Sequence, residues 1–140
     1  MNTAADHKQS ITVKSDISDS AKVSDFLIEY IKSHQIDDET RDDLRLVTEE
    51  TFVNISSYAF PDDISHTVTI EVTRDERDIH ITFTDVGIAF NPLTYCEKNI
   101  GCTDHCEGGM GIHLIKSLTD RQEYKRIGQQ NVFTVTKHYT

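Results

Sequence analysis

The stretch TVTIEVTRDERDIHITFTD, residues 67–85, decides the fold class of this chain. Apolar and polar residues alternate in both of its halves, and the apolar positions are Val68, Ile70, Val72, Ile79, Ile81 and Phe83. A period of two predicts two strands, 67–73 and 78–85, each with one buried face. Because only the charged residues 75–77 connect them, we expect the two strands to pair antiparallel.

Towards the N-terminus the pattern is helical. Residues 11–14 alternate and predict a first strand, after which Ser18 or Asp19 can cap a first helix with apolar residues at three- and four-residue spacing. Asp37 offers a second N-cap, and the helix that follows should extend to about Tyr58. Two successive helices are therefore expected before the strand pair.

Towards the C-terminus, residues 86–107 lack periodicity, as is typical of a lid or a binding loop. Helical spacing returns at 111–118, and a hairpin is expected from 123–127 and 132–137, turned by 128–130. The order of elements predicts an α+β fold, a two-layer sandwich in which a mostly antiparallel mixed sheet carries helices on one face.

Composition limits the function classes. With 140 residues, 36% hydrophobic and 27% charged, the chain fits a single domain, 10–140, after a flexible leader, 1–9. No run approaches the roughly 20 apolar residues of a membrane span, so no membrane partner is expected and the cytoplasm is the expected location. A net charge of -10 argues against nucleic acid as a partner.

Three cysteines, Cys96, Cys102 and Cys106, form an odd set that suits reduced thiols better than disulfides. Together with His105 they could hold Zn²⁺, but their spacing matches no common zinc motif. His113 is expected to be a packed or partly exposed residue of a helix rather than a ligand.

Glu50 and Asn54 form the first pattern with chemical potential. They are one turn apart and project from the same face of the second helix, where a carboxylate and a carboxamide could share one ion or substrate. Taken alone, the pair is more typical of a solvated helix face, because exposed Glu is common. Asn is a mediocre helix former, so its position in mid-helix invites a functional reason.

Two further patterns follow along the chain. Asp85, at the end of a strand expected to be central, could accept a hydrogen bond from an adenine amino group, and Gly87 would let the backbone turn close to a flat ring. An ordinary Asp-x-Gly turn is the alternative. Residues 108–111, Gly-Gly-Met-Gly, could direct backbone N–H groups at a phosphate, or could simply join a loop to a helix.

In this order and spacing, the three patterns resemble the N, G1 and G2 boxes of the GHKL ATPase superfamily, and most closely those of serine/threonine kinases that act as anti-sigma factors. The resemblance extends over almost the whole chain and implies a Bergerat-type fold that binds ATP and Mg²⁺. It implies that Asn54 is the Mg²⁺ ligand, Glu50 activates the attacking hydroxyl and Asp85 reads adenine. Gly87 would lie beneath the base. The implied phosphate-facing residues are Gly108, Gly109, Met110, Gly111 and Ile112.

The resemblance further implies a protein kinase in a partner-switching module. Its partners would be an antagonist protein of the anti-anti-sigma type and a sigma factor, and a homodimer is conceivable. The alternative is a non-catalytic, nucleotide-responsive binding module, because Lys98 is the one Lys or Arg between Asp85 and Gly108. A third class is a redox or metal sensor that uses the lid cysteines.

Overall fold

The computed structural model describes residues 8–60, 66–93 and 107–139, with the side chains of 107–110 excepted. In chain order its elements are β1 (Gln9–Lys14), a short 3₁₀ helix (Ile17–Asp19), α1 (Ser20–Ser33), α2 (Asp38–Tyr58), β2 (Thr67–Arg74), β3 (Asp78–Asp85), α3 (Glu107–Leu118), β4 (Arg121–Ile127) and β5 (Gln130–His138).

The five strands form one sheet in the order β1-β2-β3-β5-β4. All four pairings among these strands are antiparallel. β3 is the central strand, as the sequence predicts, so Asp85 stands at the end of the most enclosed strand of the sheet. The strands β1 and β4 form its two edges.

The two faces of the sheet differ because side chains alternate along each strand. One face is apolar and fully buried, with Ile70, Ile81 and Phe83 each 0% exposed. The opposite face carries cross-strand threonine pairs, among them Thr82 and Thr134, whose hydroxyl oxygens are 3.0 Å apart. Burial of each large apolar side chain contributes roughly 1.5–3 kcal/mol. The helices α1 and α2 pack against each other, as do α2 and α3, and the predicted α+β class is confirmed.

Local signals explain where the helices begin. The Asp37 carboxylate accepts hydrogen bonds from the backbone N of Thr40, at 3.0 Å, and from its hydroxyl, at 2.7 Å. Asp38 and Glu39 in the first turn complement the positive end of α2. Before α1, the side-chain cap belongs to Asp16, which bonds Ser18 N at 3.0 Å and starts the short 3₁₀ helix. The expected caps of α1, Ser18 and Asp19, make no side-chain cap bond to α1 itself.

Several element boundaries differ from the sequence-based expectation: β2, β4 and β5 are each longer by one to three residues, and the starts of β1 and α3 also differ. β1 begins at Gln9, which pairs with Val72, so the strand reaches one residue into the stretch interpreted as a leader. α3 begins at Glu107, four residues before the expected start at Gly111. Glycine lowers helix propensity, which is why the pattern 108–111 does not read as helical. None of the helices in the described ranges has the length and apolar character needed to cross a membrane.

Candidate functional site

The two adjacent glutamates of α2 have different surroundings. Ser24 of α1 donates a hydrogen bond of 2.6 Å from its hydroxyl to Glu49 Oε2. Glu50 points about 100° further around the helix and meets α3. A Cβ placed on Gly111 would contact the Glu50 carboxylate and would lie 2.7 Å from its Cδ. Glu49 therefore joins α1 to α2, whereas Glu50 stands where α2 meets α3.

Asn54 lies one turn beyond Glu50 on α2 and is 6% exposed. Within the described residues, no hydrogen bond engages its carboxamide. This amide oxygen is therefore available to a ligand. Its chemistry suits Mg²⁺, which prefers hard oxygen donors and retains several waters.

The glycine-rich stretch 108–111 occupies the first turns of α3. The first four N–H groups of a helix have no partner within it, so the backbone of 107–110 can direct donors at an anion. Gly111 is where α3 approaches Glu50, because any side chain there would displace the carboxylate. The side chain of Ile112, the residue after Gly111, is 7% exposed.

Asp85 is held in a fixed orientation at the end of β3. It is 3% exposed, and its Oδ1 accepts hydrogen bonds from Gly87 N, at 2.8 Å, and from Asn131 Nδ2, at 2.9 Å. Burial raises the pKa of this carboxyl, and the hydrogen bonds from Asn131 and Gly87 partly offset that rise. The result is a carboxyl that is oriented before any ligand arrives.

Gly87 brings the end of β3 against the end of α2. A Cβ at this position would contact the carbonyl oxygen of Ala59 and would lie 2.8 Å from the Ala59 Cβ. The backbone N of Ile88 donates to the same Ala59 carbonyl at 2.9 Å. The close approach that requires glycine here is therefore an approach to the backbone of α2.

Asn131 organises this end of the sheet, and it was missed by the sequence analysis. Its Nδ2 donates to Asp85 Oδ1 and, at 2.7 Å, to Ile88 O. Its Oδ1 accepts from Phe90 N at 3.1 Å and from the Tyr124 hydroxyl at 2.6 Å. One available signal was its place in the alternation of β5. Asn131 occupies a buried position, directly opposite Asp85 in the register.

Arg126 adds a positive charge to the same network. Its Nη1 donates to Gly87 O at 2.8 Å and to Asn131 Oδ1 at 3.2 Å. The guanidinium thereby ties edge strand β4 to the turn that follows Asp85. Charge-assisted bonds of this kind are stronger than neutral ones, so the turn is braced from both sides.

α2 is approached by both of the glycines described above, Gly111 and Gly87. Glu50 meets Gly111 near the middle of the helix, and Ala59 meets Gly87 at its end. Nine residues separate Glu50 from Ala59, which is about 14 Å of helix, a length that a nucleoside triphosphate can follow. Asn54 lies between them. The predicted residues Glu50 and Asn54 thus lie along one helix, which meets the first turns of α3 at Glu50 and the turn after Asp85 at Ala59.

A cavity of about 440 Å³ opens beside this row. It is lined by the end of α2, the turn after β3 and the β4–β5 turn, including Phe60, His66, Val86 and Arg126. Glu50, Asn54 and Gly111 do not line it. The cavity therefore adjoins the Asp85 network and meets the row along α2 at Ala59 and Gly87, but it does not extend to Glu50.

Other sequence-based candidates are placed as follows. Cys96, Cys102, His105 and Cys106 lie outside the described residues, as does Lys98. His113, expected to be a packed or partly exposed residue of a helix, is exposed on α3. The groups predicted to bind phosphate at Gly108, Gly109 and Met110 are described for their backbone alone.

Comparison with known proteins gives the same family. Residues 13–137 match the family model described as histidine kinase-like ATPase domain. A chain in the crystal structure of the SiaB-SiaC complex from Pseudomonas aeruginosa is similar in fold, with a TM-score of 0.58 and 12% identity, over 91% of this chain and 89% of that one. Among curated protein sequences there is no significant match. Since the matched segment spans nearly the whole sequence, the chain belongs to the histidine kinase-like ATPase domain family.

Proposed function

We propose that this protein binds Mg²⁺-ATP and transfers its γ-phosphoryl group to a serine or threonine of an antagonist protein in a partner-switching module. Family membership supports ATP binding. The observation that carries the proposal is the contact between Glu50 and Gly111, because it places a carboxylate beside the helix terminus at which a phosphate would be bound.

In the proposed complex, Asp85 accepts a hydrogen bond from the adenine amino group, and the N–H groups at the start of α3 bind the phosphates. The oxygen of Asn54 would hold Mg²⁺, which neutralises charge on the phosphates and orients them. The protein's net charge of -10 repels a free nucleotide, so local N–H donors and the metal must supply the attraction.

The transfer step requires an acceptor hydroxyl in line with the bond to ADP. The hydroxyl oxygen forms a bond to the γ-phosphorus, the bond to the β–γ bridging oxygen breaks, and ADP leaves. Glu50 receives the hydroxyl proton in this scheme. Phosphoryl transfer depends mainly on positioning and electrostatic stabilisation, so Glu50 acts chiefly by orienting the nucleophile.

The proposed partner is a small protein that carries the acceptor residue, with a sigma factor as the regulator released or sequestered. The similar solved structure belongs to a complex of two differently named proteins, and it therefore lends support to a role in protein–protein association. A homodimer remains part of the proposal without a described contact behind it.

Glu50→Gln and Glu49→Gln form a matched pair of variants for the test. They are neighbours on one helix, but Glu49 bonds Ser24 on the side of α1 and Glu50 meets Gly111. We expect Glu50→Gln to reduce transfer at least about 100-fold, the usual contribution of a positioned acid–base group, and to leave ATP binding within a few-fold. Glu49→Gln should retain most activity.

The assay is a pull-down with and without Mg²⁺-ATP, followed by mapping of phosphorylated residues in the retained protein. ATP binding is measured separately as a rise in the unfolding temperature, since a ligand at 100 times its Kd stabilises by about 2.7 kcal/mol. Binding without any transfer would contradict the kinase and favour the nucleotide-responsive binding module. Absence of ATP binding would contradict both.

A further inference from the structure

A second cluster of ligand groups lies at the end of the sheet opposite Asp85. One ligand atom from each of Asp75, Asp78 and His80 lies within 4.8 Å of the other two. Because β3 begins at Asp78 and ends at Asp85, the cluster is roughly 20 Å from the nucleotide site along the strand. No role proposed above uses these residues.

The spacing of Asp75 and His80 suits a tetrahedral metal ion. Asp75 Oδ2 and His80 Nε2 are 3.3 Å apart. Two ligand atoms that each lie 2.0–2.1 Å from a tetrahedral Zn²⁺ are separated by about 3.3 Å. These two side chains can therefore bind one ion with little movement, and the half-exposed Asp78 carboxylate needs only a side-chain rotation to join them.

The His80 ring is oriented from behind by the neighbouring strand. Its Nδ1 lies 2.9 Å from the hydroxyl oxygen of Thr136, its cross-strand partner on β5. When Nδ1–H donates to that hydroxyl, the lone pair of Nε2 points towards Asp75. A hydrogen bond of this type to the non-ligating nitrogen is a regular feature of metal-binding histidines.

The carboxylates are also fixed by the backbone. Asp75 Oδ1 accepts hydrogen bonds from the N–H groups of Arg77, at 2.9 Å, and Asp78, at 2.8 Å, which leaves Oδ2 directed at His80. On the other side, Asp78 Oδ1 lies 3.2 Å from His138 Nδ1. The imidazole of His138 therefore lies beside Asp78, next to the cluster and not within it.

We propose that Asp75, Asp78 and His80 form a site for a divalent transition-metal ion of the Zn²⁺ type, with water as the fourth ligand. The ion replaces the contact between His80 and Asp75 and neutralises two carboxylates at once. Nitrogen and carboxylate donors in this mixture suit Zn²⁺ better than Mg²⁺, which favours oxygen ligands. Bound metal would fasten the β2–β3 turn to the start of β3.

The test measures Zn²⁺ binding to the full chain by competition with a chromogenic chelator. All proteins carry Cys96→Ser, Cys102→Ser and Cys106→Ser, so that thiolates contribute nothing. We expect one Zn²⁺ per chain, and an apparent affinity at least about tenfold lower after His80→Ala or Asp75→Asn. His113→Ala, which removes an exposed histidine elsewhere, is the matched control and should bind as the parent does.

Asp75→Asn keeps an oxygen acceptor for the turn while removing the negative charge. Its Zn²⁺ affinity therefore tests the site even if His80→Ala fails to fold. Stoichiometric binding that weakens in these variants alone supports the site. The proposal is overturned if the parent binds no Zn²⁺ at millimolar concentration, if both variants bind as tightly as the parent, or if His113→Ala weakens binding equally. None of these outcomes depends on ATP binding or phosphoryl transfer.

Discussion

The two ends of β3 carry aspartates in opposite physical states. Asp85 is 3% exposed, and its pKa is raised because burial disfavours the charged form. At the other end, Asp75 is exposed, and the N–H groups of Arg77 and Asp78 lower its pKa. One end of the strand is thus a preformed, enclosed hydrogen-bond network, and the other is an open cluster of charges. The position of an aspartate in the fold, more than its residue type, therefore decides whether its pKa is raised or lowered.

The largest expected loss of stability comes from Asn131→Ala, which disrupts the enclosed network around Asp85. The substitution leaves the Asp85 carboxylate, the Tyr124 hydroxyl and two backbone groups without their shared partner. We expect the free energy of unfolding to fall by about 3 kcal/mol, because each orphaned buried group costs about 1–3 kcal/mol and part of the loss is recovered by relaxation. Urea denaturation measures it.

Asn91→Ala provides the control for that experiment. Asn91 Oδ1 accepts one hydrogen bond, from Leu93 N at 2.9 Å, in a partly buried turn. Its loss should cost about 1 kcal/mol. Equal effects of the two substitutions would show that Asn131 is an ordinary turn residue and that the enclosed network is not cooperative.

A smaller effect is expected from Gly87→Ala, which tests whether the enclosed end depends on close backbone approach. The new methyl group would overlap the Ala59 carbonyl, and displacement of backbone in a packed region costs about 1–3 kcal/mol. Gly128→Ala is the contrast: there the space is open, but φ is +61°, so we expect about 1 kcal/mol from backbone strain. Thermal unfolding compares them. A negligible effect at Gly87 would contradict the close packing.

The smallest effect concerns pH and has opposite signs at the two ends. The folded-state pKa of Asp85 is raised above 3.8, so its favourable contribution is complete below that value and is lost as pH rises through the folded pKa. The pKa of Asp75 is lowered, so its contribution is present above 3.8 and is lost as pH falls through the folded value.

The direction of each effect is measured from the free energy of unfolding between neutral pH and about pH 3. The proteins compared are wild type, Asp85→Asn and Asp75→Asn. As the pH falls, wild type should gain stability relative to Asp85→Asn and lose stability relative to Asp75→Asn. If the stability of both variants relative to wild type changed with pH in the same direction, the opposite pKa shifts of Asp85 and Asp75 would be contradicted.

The features that the sequence predicted correctly depend on residues close together in the chain. Alternation in residues 67–85 gave both central strands because each has one buried face, and Asp37 marked the start of α2 through a contact with Thr40 only three residues away. The start of α3 was misplaced because the glycines at 108, 109 and 111 suppress the helical pattern while the backbone is helical.

What could not be read from the sequence depends on contacts between distant positions. Asn131 meets Asp85 across 46 positions, and nothing near Asn131 announces that it holds a carboxylate. Likewise, the sequence distinguishes Glu50 from Glu49 by its one-turn spacing from Asn54, but only the arrangement of three helices shows that Glu49 bonds Ser24 and that Glu50 lies beside Gly111. The geometry of the site therefore becomes visible with the tertiary structure alone.

The hydrogen bonds of β4 have one more consequence. An outermost strand can usually vary without disturbing the interior, but Tyr124 and Arg126 extend from this strand to the amide that orients Asp85 and to the Gly87 carbonyl. A protein that paired with the free backbone of β4, or a substitution that twisted it, would alter the geometry of a carboxyl two strands away. The edge strand β4 therefore helps to fix the geometry of a carboxyl on the central strand β3.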